Sequence, residues 1–266
     1  MNNSPSVTLP LSLLFSLGSL IFASSSSAAV LNGSFESGIT GWTPTGDVSI
    51  KTSAYGSGPT DGNAIALLTT ASLLEPDGNL NCSGSDQPVS ANCLETIFLG
   101  LSLNSLNAPN DPFFGVAREG SGIKQTFTVQ AGDRLTLDWN FLTADPSSDN
   151  QDYAFIVLSE MSNLSNLSYN NLPKLNNDIG LITSNTLFGN ETGFKTFSHT
   201  FTQSGTYLLE IGVVDVGDFE VSSGVLVDNI QLTNTDKKIP EPSSILGLLA
   251  LGIWGTISVL TRKSSL

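Results

Sequence analysis

The feature that most constrains the fold is an alternation of apolar and polar side chains between residues 123 and 141. The apolar members are Phe127, Val129, Leu135, Leu137, Trp139 and Phe141. A period of two residues is that of a β-strand with one buried face. The Ala-Gly-Asp sequence at 131–133 favours a hairpin-like turn between the two runs. This stretch therefore predicts two strands joined by a tight turn.

Further short strands are predicted on both sides of this hairpin. They are Val48–Ile50, Ala64–Leu68, Tyr153–Leu158, Thr196–Thr202, Thr206–Val214 and Gly224–Leu232. Tyr153–Leu158 is apolar on both faces, so we expect it to be central in its sheet. The first residues, 30–42, are expected to form an edge strand and a turn, with Trp42 covering the end of the core.

Glycine-, proline- and asparagine-rich turns separate these strands, and no helical period of useful length lies between residues 30 and 233. The sequence therefore predicts an all-β, antiparallel β-sandwich that is jelly-roll-like. The long insertions, 70–122 and 159–193, are expected to form loops at its ends.

Both ends of the chain have the composition of export segments. Leu9 to Ala23 is an apolar run, and Ser27-Ala28-Ala29 offers small residues for cleavage, so residues 1–29 are predicted to be a signal peptide. An uncharged run, 243–261, could span roughly 28 Å as a helix at ~1.5 Å per residue, close to the ~30 Å hydrocarbon core of a bilayer. The chain is therefore predicted to be exported, with a transmembrane helix near its end.

The C-terminal residues resemble the PEP-CTERM sorting signal of exported proteins in Gram-negative and cyanobacterial lineages. The matching residues are Pro240, Glu241 and Pro242, the apolar helix 245–260, and Arg262-Lys263. The resemblance implies a membrane anchor that an exosortase recognises and cuts near Pro-Glu-Pro, after which the protein is at the cell surface or extracellular. An ordinary single-pass anchor is the alternative. The chain then divides into a signal peptide (1–29), a sandwich (30–233), a linker (234–239) and a sorting segment (240–266).

The charge balance argues against one class of partner. The chain has 24 acidic and 10 basic residues, for a net charge of −14. This balance repels phosphate backbones, so no nucleic acid is expected. The same carboxylates offer oxygen ligands for hard cations such as calcium.

Two cysteines, Cys82 and Cys93, flank a loop rich in glycine, serine and proline. In an exported chain such an isolated pair predicts a disulfide. A metal or redox pair would need C-x-x-C spacing or nearby histidines, and the sequence has neither.

A second resemblance concerns the ends of the sandwich. N-G-S-F-E-S-G…G-W at 32–42 and L-V-D-N-I-Q-L at 226–232 look like the ends of jelly-roll carbohydrate-binding modules. The resemblance implies that Glu36 and Asp228 help to bind one structural calcium, which would tie the first and last strands together. The alternative is that these two carboxylates hydrogen-bond turn backbones.

Catalytic signatures are sparse. The single histidine, His199, lies between Phe197 and Phe201, as in a packed or edge-strand position, and no nucleophile elbow, zinc ligand set or P-loop is present. Trp42 and Trp139 are both expected to be buried. Two acidic groups, 145/149/152 and 215/218/220, are candidate second cation sites, although a solvated acidic loop is the interpretation we favour for each.

These observations favour a non-enzymatic surface protein that is a structural or binding component of the extracellular polysaccharide layer. The location is what the PEP-CTERM resemblance implies. One alternative is a lectin-like carbohydrate-binding module, which requires exposed aromatics beside polar groups on one sandwich face or at the loop end. Another is a glycan-active hydrolase, which requires two carboxylates roughly 5–10 Å apart across a cleft.

Overall fold

A computed structural model describes residues 29–71, 82, 87–107, 115–144, 152–161, 174–175, 180–217, 219 and 221–234. The predicted signal peptide and the sorting segment, with Pro240–Pro242 and Arg262-Lys263, lie outside the described residues. Within the described ranges, no helix is long and apolar enough to cross a membrane.

The described residues form thirteen strands. They are β1 (Thr43–Thr45), β2 (Asp47–Thr52), β3 (Ala64–Thr69), β4 (Val89–Ser90), β5 (Ala117–Val129), β6 (Asp133–Thr143), β7 (Tyr153–Glu160), β8 (Lys174–Leu175), β9 (Ile182–Thr183), β10 (Asn190–Glu191), β11 (Lys195–Thr200), β12 (Gly205–Val216) and β13 (Ser223–Asn234). One short helical segment accompanies them, α-helical over Ala91–Cys93 and π-helical over Leu94–Phe98.

The strands form two antiparallel sheets. Sheet A has the order β1-β5-β12-β7-β8, and β4 also pairs with β5. Sheet B has the order β2-β3-β13-β6-β10-β9, and β11 also pairs with β6. The strands predicted at 48–50, 64–68, 153–158, 206–214 and 224–232 are confirmed, as are the two strands of the 123–141 alternation. The strand predicted at 196–202 is present but ends at Thr200. The molecule is an all-β sandwich.

The core lies between the sheets and is built by the alternating side chains. All six apolar members of the 127–141 alternation belong to it, as do Ile156 from β7 and Val225 and Val227 from β13. Trp139 and Trp42 are each 6% exposed and are part of the same core. Their predicted burial is confirmed, so neither indole is available as an exposed platform.

The edge strand predicted over the first residues is wrong. Residues 31–41 form successive turns, and the first strand begins at Thr43. Asn32 and Phe35 take φ angles of +51° and +56°, which a strand does not allow. The Gly33 carbonyl accepts a hydrogen bond from the Ile230 N–H at 3.0 Å, so this turn segment nevertheless lies against the last strand.

The predicted insertion 70–122 is not only a loop. It contains the helical segment 91–98, which packs on the outer face of sheet A and forms a second core with Tyr153, Phe155 and Val214. Gly122 makes this approach possible, because a Cβ there would lie 2.8 Å from Phe98 Cε1. The predicted disulfide between Cys82 and Cys93 is present and ties this segment to the preceding loop.

Candidate functional site

A groove lies on the outer face of sheet B, with a cavity volume of about 530 Å³. Its lining residues are Asp47, Ser49, Lys51, Tyr55, Leu67, Thr69, Ala71, Ala144, Leu187, Phe188 and Ser222. The two-residue period of β2 explains the floor, because Val48 and Ile50 pack against the core while the intervening side chains point outward. Strand β3 adds Leu67 and Thr69 in the same way.

Tyr55 forms one wall of the groove. It belongs to the glycine-rich loop between β2 and β3, and Lys51 Nζ lies 5.3 Å from its ring centroid. Burial raises the pKa of Tyr55, and the negative charge of Asp47 raises it further. The phenol therefore keeps its proton and can donate a hydrogen bond into the groove.

The opposite wall is the hairpin that joins β9 and β10. Leu187 at its tip is 98% exposed, whereas Phe188 is buried and packs with Leu67 and Leu226. The Ser184 N–H donates to the Gly189 carbonyl at 2.9 Å and closes the turn. The hairpin thus holds one apolar side chain over the groove and anchors itself through the next.

The lining combines apolar surface with a few polar groups. Leu67, Leu187 and Phe188 are apolar, and the carboxylate of Asp47 accepts a hydrogen bond from Thr69 Oγ1 on the neighbouring strand. Concave sites that bind small molecules have this mixture. Asp47 is the one carboxylate among the residues that line the groove.

The two residues implied as calcium ligands hold the same loop. Asp228 Oδ2 accepts hydrogen bonds from the Thr60 and Asp61 N–H groups at 2.7 and 2.9 Å. Glu36 Oε1 accepts hydrogen bonds from the Asn63 and Ala64 N–H groups at 2.6 and 2.8 Å. The structure therefore brings the two carboxylates to one short stretch of chain, residues 60–64.

The environments of these carboxylates differ. Asp228 is fully buried and its pKa is raised by that burial, an effect that the N–H groups of Asp61 and Asn229 partly offset. Glu36 is exposed. Both are hard oxygen donors of the kind that Ca²⁺ takes, yet each already accepts backbone hydrogen bonds, as the alternative interpretation expects. Among the described residues, no group of three or more potential ligands is arranged to hold a metal ion. A calcium ion at Glu36 and Asp228 stays a prediction.

Acidic residues from both candidate loops are buried, so the solvated interpretation is wrong for them. Asp152 is 4% and Asp215 is 1% exposed. Asp152 precedes β7 and accepts a hydrogen bond from the Val216 N–H at 2.8 Å, while Asp215 faces Glu119 across the β12–β5 pair. Strand β12 continues beyond its predicted end at Val214, which carries Asp215 into the sheet. Asp145, Asp149, Asp218 and Glu220 lie outside the described residues.

His199 occupies an edge-strand position, as predicted. Strand β11 pairs with β6, and the imidazole packs edge-on against Phe201 with ring centroids 4.9 Å apart. His199 is exposed at the edge of the sheet, and partial desolvation of its ring lowers the pKa of the imidazole. The imidazole is therefore packed against an aromatic ring and does not belong to the lining of the groove.

Sequence reasoning missed the groove residues. Asp47 and Lys51 flank the predicted strand Val48–Ile50, Tyr55 follows it, and Leu187 and Phe188 lie in the predicted insertion 159–193, but none of them was a candidate site residue. The one available signal was the polar phase of β2 followed by a tyrosine in a glycine-rich loop. The partner hairpin is more than 120 residues away, and nothing in the sequence places it beside that loop.

The structure thus defines an all-β sandwich with an amphipathic groove on one face. Residues 238–263 match the PEP-CTERM protein-sorting motif. This match indicates that the protein is exported and that its C-terminal tail anchors it before processing. It also implies an exosortase as the processing enzyme. No curated protein matches the chain.

Three solved structures are similar to parts of this chain. TmCBM61 in complex with beta-1,4-galactotriose has 10% identity and a TM-score of 0.39, covering 77% of this chain and 96% of that one. Tailspike protein 4 of bacteriophage CBA120 has 15% identity and a TM-score of 0.26, covering 76% and 20%. A beta-glucosidase from Kluyveromyces marxianus has 9% identity and a TM-score of 0.24, covering 70% and 19%.

Proposed function

We propose that this protein is an exported, non-enzymatic surface protein that binds neutral polysaccharide of the extracellular layer. The groove on sheet B is the binding site, and its lining is the observation that carries the proposal. The sorting tail supports the location, because it indicates export and anchoring at the cell envelope.

A polysaccharide fits the chemistry of the lining. Sugar rings present apolar faces and rims of hydroxyl groups. Tyr55 and Leu187 offer apolar surface, and a tyrosine side chain buries a large area while keeping its polar hydroxyl available. Ser49, Lys51 and the Tyr55 hydroxyl offer donors for ring hydroxyls, and Asp47 offers an acceptor.

The charge distribution favours a neutral glycan over a polyanion. Asp47 and Lys51 contribute one negative and one positive charge to the lining. The chain as a whole has a net charge of −14, which repels an acidic polymer at ordinary ionic strength. A neutral chain meets no such repulsion.

Binding without hydrolysis is supported by the count of carboxylates at the groove. Glycoside hydrolysis uses two carboxyl groups that flank the scissile bond. The described lining contributes Asp47 alone. A glycan-active hydrolase is the alternative, and release of reducing ends from a bound polysaccharide would reveal it.

Calorimetric titration of the processed protein with a panel of neutral gluco-, galacto- and manno-hexaoses tests the proposal. We expect at least one hexaose to bind, and Tyr55→Ala to raise its Kd about tenfold, since loss of one aromatic contact costs about 1.4 kcal/mol. Phe219→Ala is the matched control, because Phe219 is a partly exposed aromatic residue outside the groove. If no hexaose binds, or if the two variants bind equally, the groove is not the glycan site.

A further inference from the structure

Glu191 is a buried carboxylate directly behind the groove. It lies in β10 and is 4% exposed. Its Oε1 accepts a hydrogen bond from Ser57 Oγ at 2.5 Å, and its Oε2 accepts hydrogen bonds from Asn140 Nδ2 at 3.0 Å and Ser184 Oγ at 3.3 Å. A buried carboxylate is stable only when such donors replace water.

Two of the three donors come from the two walls of the groove, and the third comes from sheet B itself. Ser57 lies two residues after Tyr55 in the first wall. Ser184 lies in the hairpin that carries Leu187 and Phe188, the second wall. Asn140 lies in β6 of sheet B, between β13 and β10.

A second contact joins the same two walls. The Gly56 N–H donates to Asn185 Oδ1 at 2.8 Å. Gly56 has a φ of +58°, and a Cβ at this position would lie 3.0 Å from Glu191 Oε2. Glycine therefore lets the Tyr55 loop approach the carboxylate closely, in a conformation that other residues rarely adopt.

We propose that Glu191 is the positioning residue of the groove and locks its two walls to each other and to β6. This inference rests on the proposed function, because the site that Glu191 positions is the proposed glycan-binding groove. With the carboxylate in place, the loop that carries Tyr55 and the hairpin that carries Leu187 are tied to each other before ligand arrives. Such preorganisation lowers the cost of binding.

The proposal makes a linked prediction for the two walls. Replacing Ser57 with alanine removes one hydrogen bond to Glu191 and leaves the sequence of the hairpin unchanged. If Glu191 couples the walls, both the Tyr55 loop and the hairpin become more mobile in Ser57→Ala. If Glu191 does not couple the walls, only the loop that carries the substitution becomes more mobile.

Hydrogen exchange followed by mass spectrometry on the processed protein decides between these outcomes. In Ser57→Ala we expect amide exchange to rise about tenfold in peptides from both 53–63 and 182–191, with β5 and β12 unchanged. The Kd of the tightest-binding neutral hexaose should rise three- to tenfold. Ser57→Thr keeps the hydroxyl and should restore both values.

Thr196→Ala is the control, because it removes a hydroxyl of β11 that donates to Asp138 of β6, outside the groove. Exchange that rises only in 53–63 would overturn the proposal, as would an unchanged exchange rate in both walls. If the wild-type protein binds none of the hexaoses, the proposed function fails, while the exchange of the two walls still tests the role of Glu191.

Discussion

Glu210 carries a carboxylate in an environment that disfavours its charge. It is 1% exposed, and neither carboxylate oxygen has a hydrogen-bond partner. In register, Lys124 of β5 and Val157 of β7 flank it on the outer face of sheet A. Burial raises the pKa of Glu210 to about 7, although the positive charge of Lys124 acts in the opposite direction.

Glu210 should therefore make stability depend on pH near neutrality. Its folded-state pKa exceeds the ordinary value of 4.5. The stability linked to its protonation is fully present below about pH 4.5 and is lost as pH rises through about 7, by up to about 3 kcal/mol. Glu210→Gln keeps the shape and removes the titration.

Urea unfolding of both proteins between pH 4.5 and pH 8.5 measures this effect. We expect the wild-type free energy of unfolding to fall with rising pH relative to that of Glu210→Gln. Parallel curves would show that the carboxylate finds a partner in solution.

The burial of Glu210 also shows what alternation can and cannot predict. In the phase of β12, Glu210 points away from the main core, so the pattern alone assigns it to solvent. The outer face of sheet A is itself covered by a second core, and Phe98 at the end of the helical segment meets Lys124 there. Trp139 was predictable because its own strand determines its environment, whereas the environment of Glu210 depends on a segment distant in sequence.

At the scale of elements, the helical segment 91–98 depends on tertiary contacts for its stability. It is too short to be stable alone, and it combines a disulfide at Cys93 with packing of Leu94 and Phe98 against the sheet. Lys124 Nζ donates to the Phe98 carbonyl at 2.5 Å and fixes its end.

Removal of the disulfide should loosen this segment. The bridge closes a loop of 11 residues in sequence separation, which corresponds to roughly 3 kcal/mol in the chain-entropy description. We expect the Cys82→Ser/Cys93→Ser variant to lose up to that amount of unfolding free energy in denaturant titrations. Reduced wild-type protein should match the variant, and adding reductant to the variant should change nothing. Equal stability of the oxidised and reduced wild-type protein would contradict this account.

The same region shows why some elements escaped prediction. The sequence A-R-E-G-S-G at 117–122 has no clean alternation, so β5 was expected to begin only at Ile123. Leu94 packs on Gly120 and Phe98 packs on Gly122, where any larger side chain would clash. Pairing with β12 keeps the segment extended. The hairpin after Ile123 needed no such information, because each of its strands shows the two-residue period by itself.

At the scale of the whole molecule, Ser222 of the groove and the last described residue, Asn234, lie at opposite ends of β13. Ser222 lines the groove immediately before this strand, and the strand ends at Asn234, four residues before the matched motif begins. Eleven residue steps of about 3.3 Å separate Ser223 from Asn234, roughly 36 Å. Processing of the tail should therefore leave the groove intact.

The all-β sandwich and the sorting tail were predictable because both are local patterns, a two-residue period and a motif followed by an apolar run. The groove was not, because strand β2, the Tyr55 loop and the hairpin 182–191 meet only in the folded chain. The jelly-roll topology and the calcium at Glu36 and Asp228 stay predictions.

Fractionation of the native host, with mass spectrometry of the protein in each fraction, tests the central claim most directly. Wild-type protein should end near Pro240–Pro242 and should be retained in the extracellular polysaccharide fraction. Tyr55→Ala should show the same C-terminus but pass into the medium, because its processing is unchanged and its groove is impaired. Equal retention of both proteins would contradict glycan binding by the groove, and an intact tail in the inner membrane would contradict processed sorting.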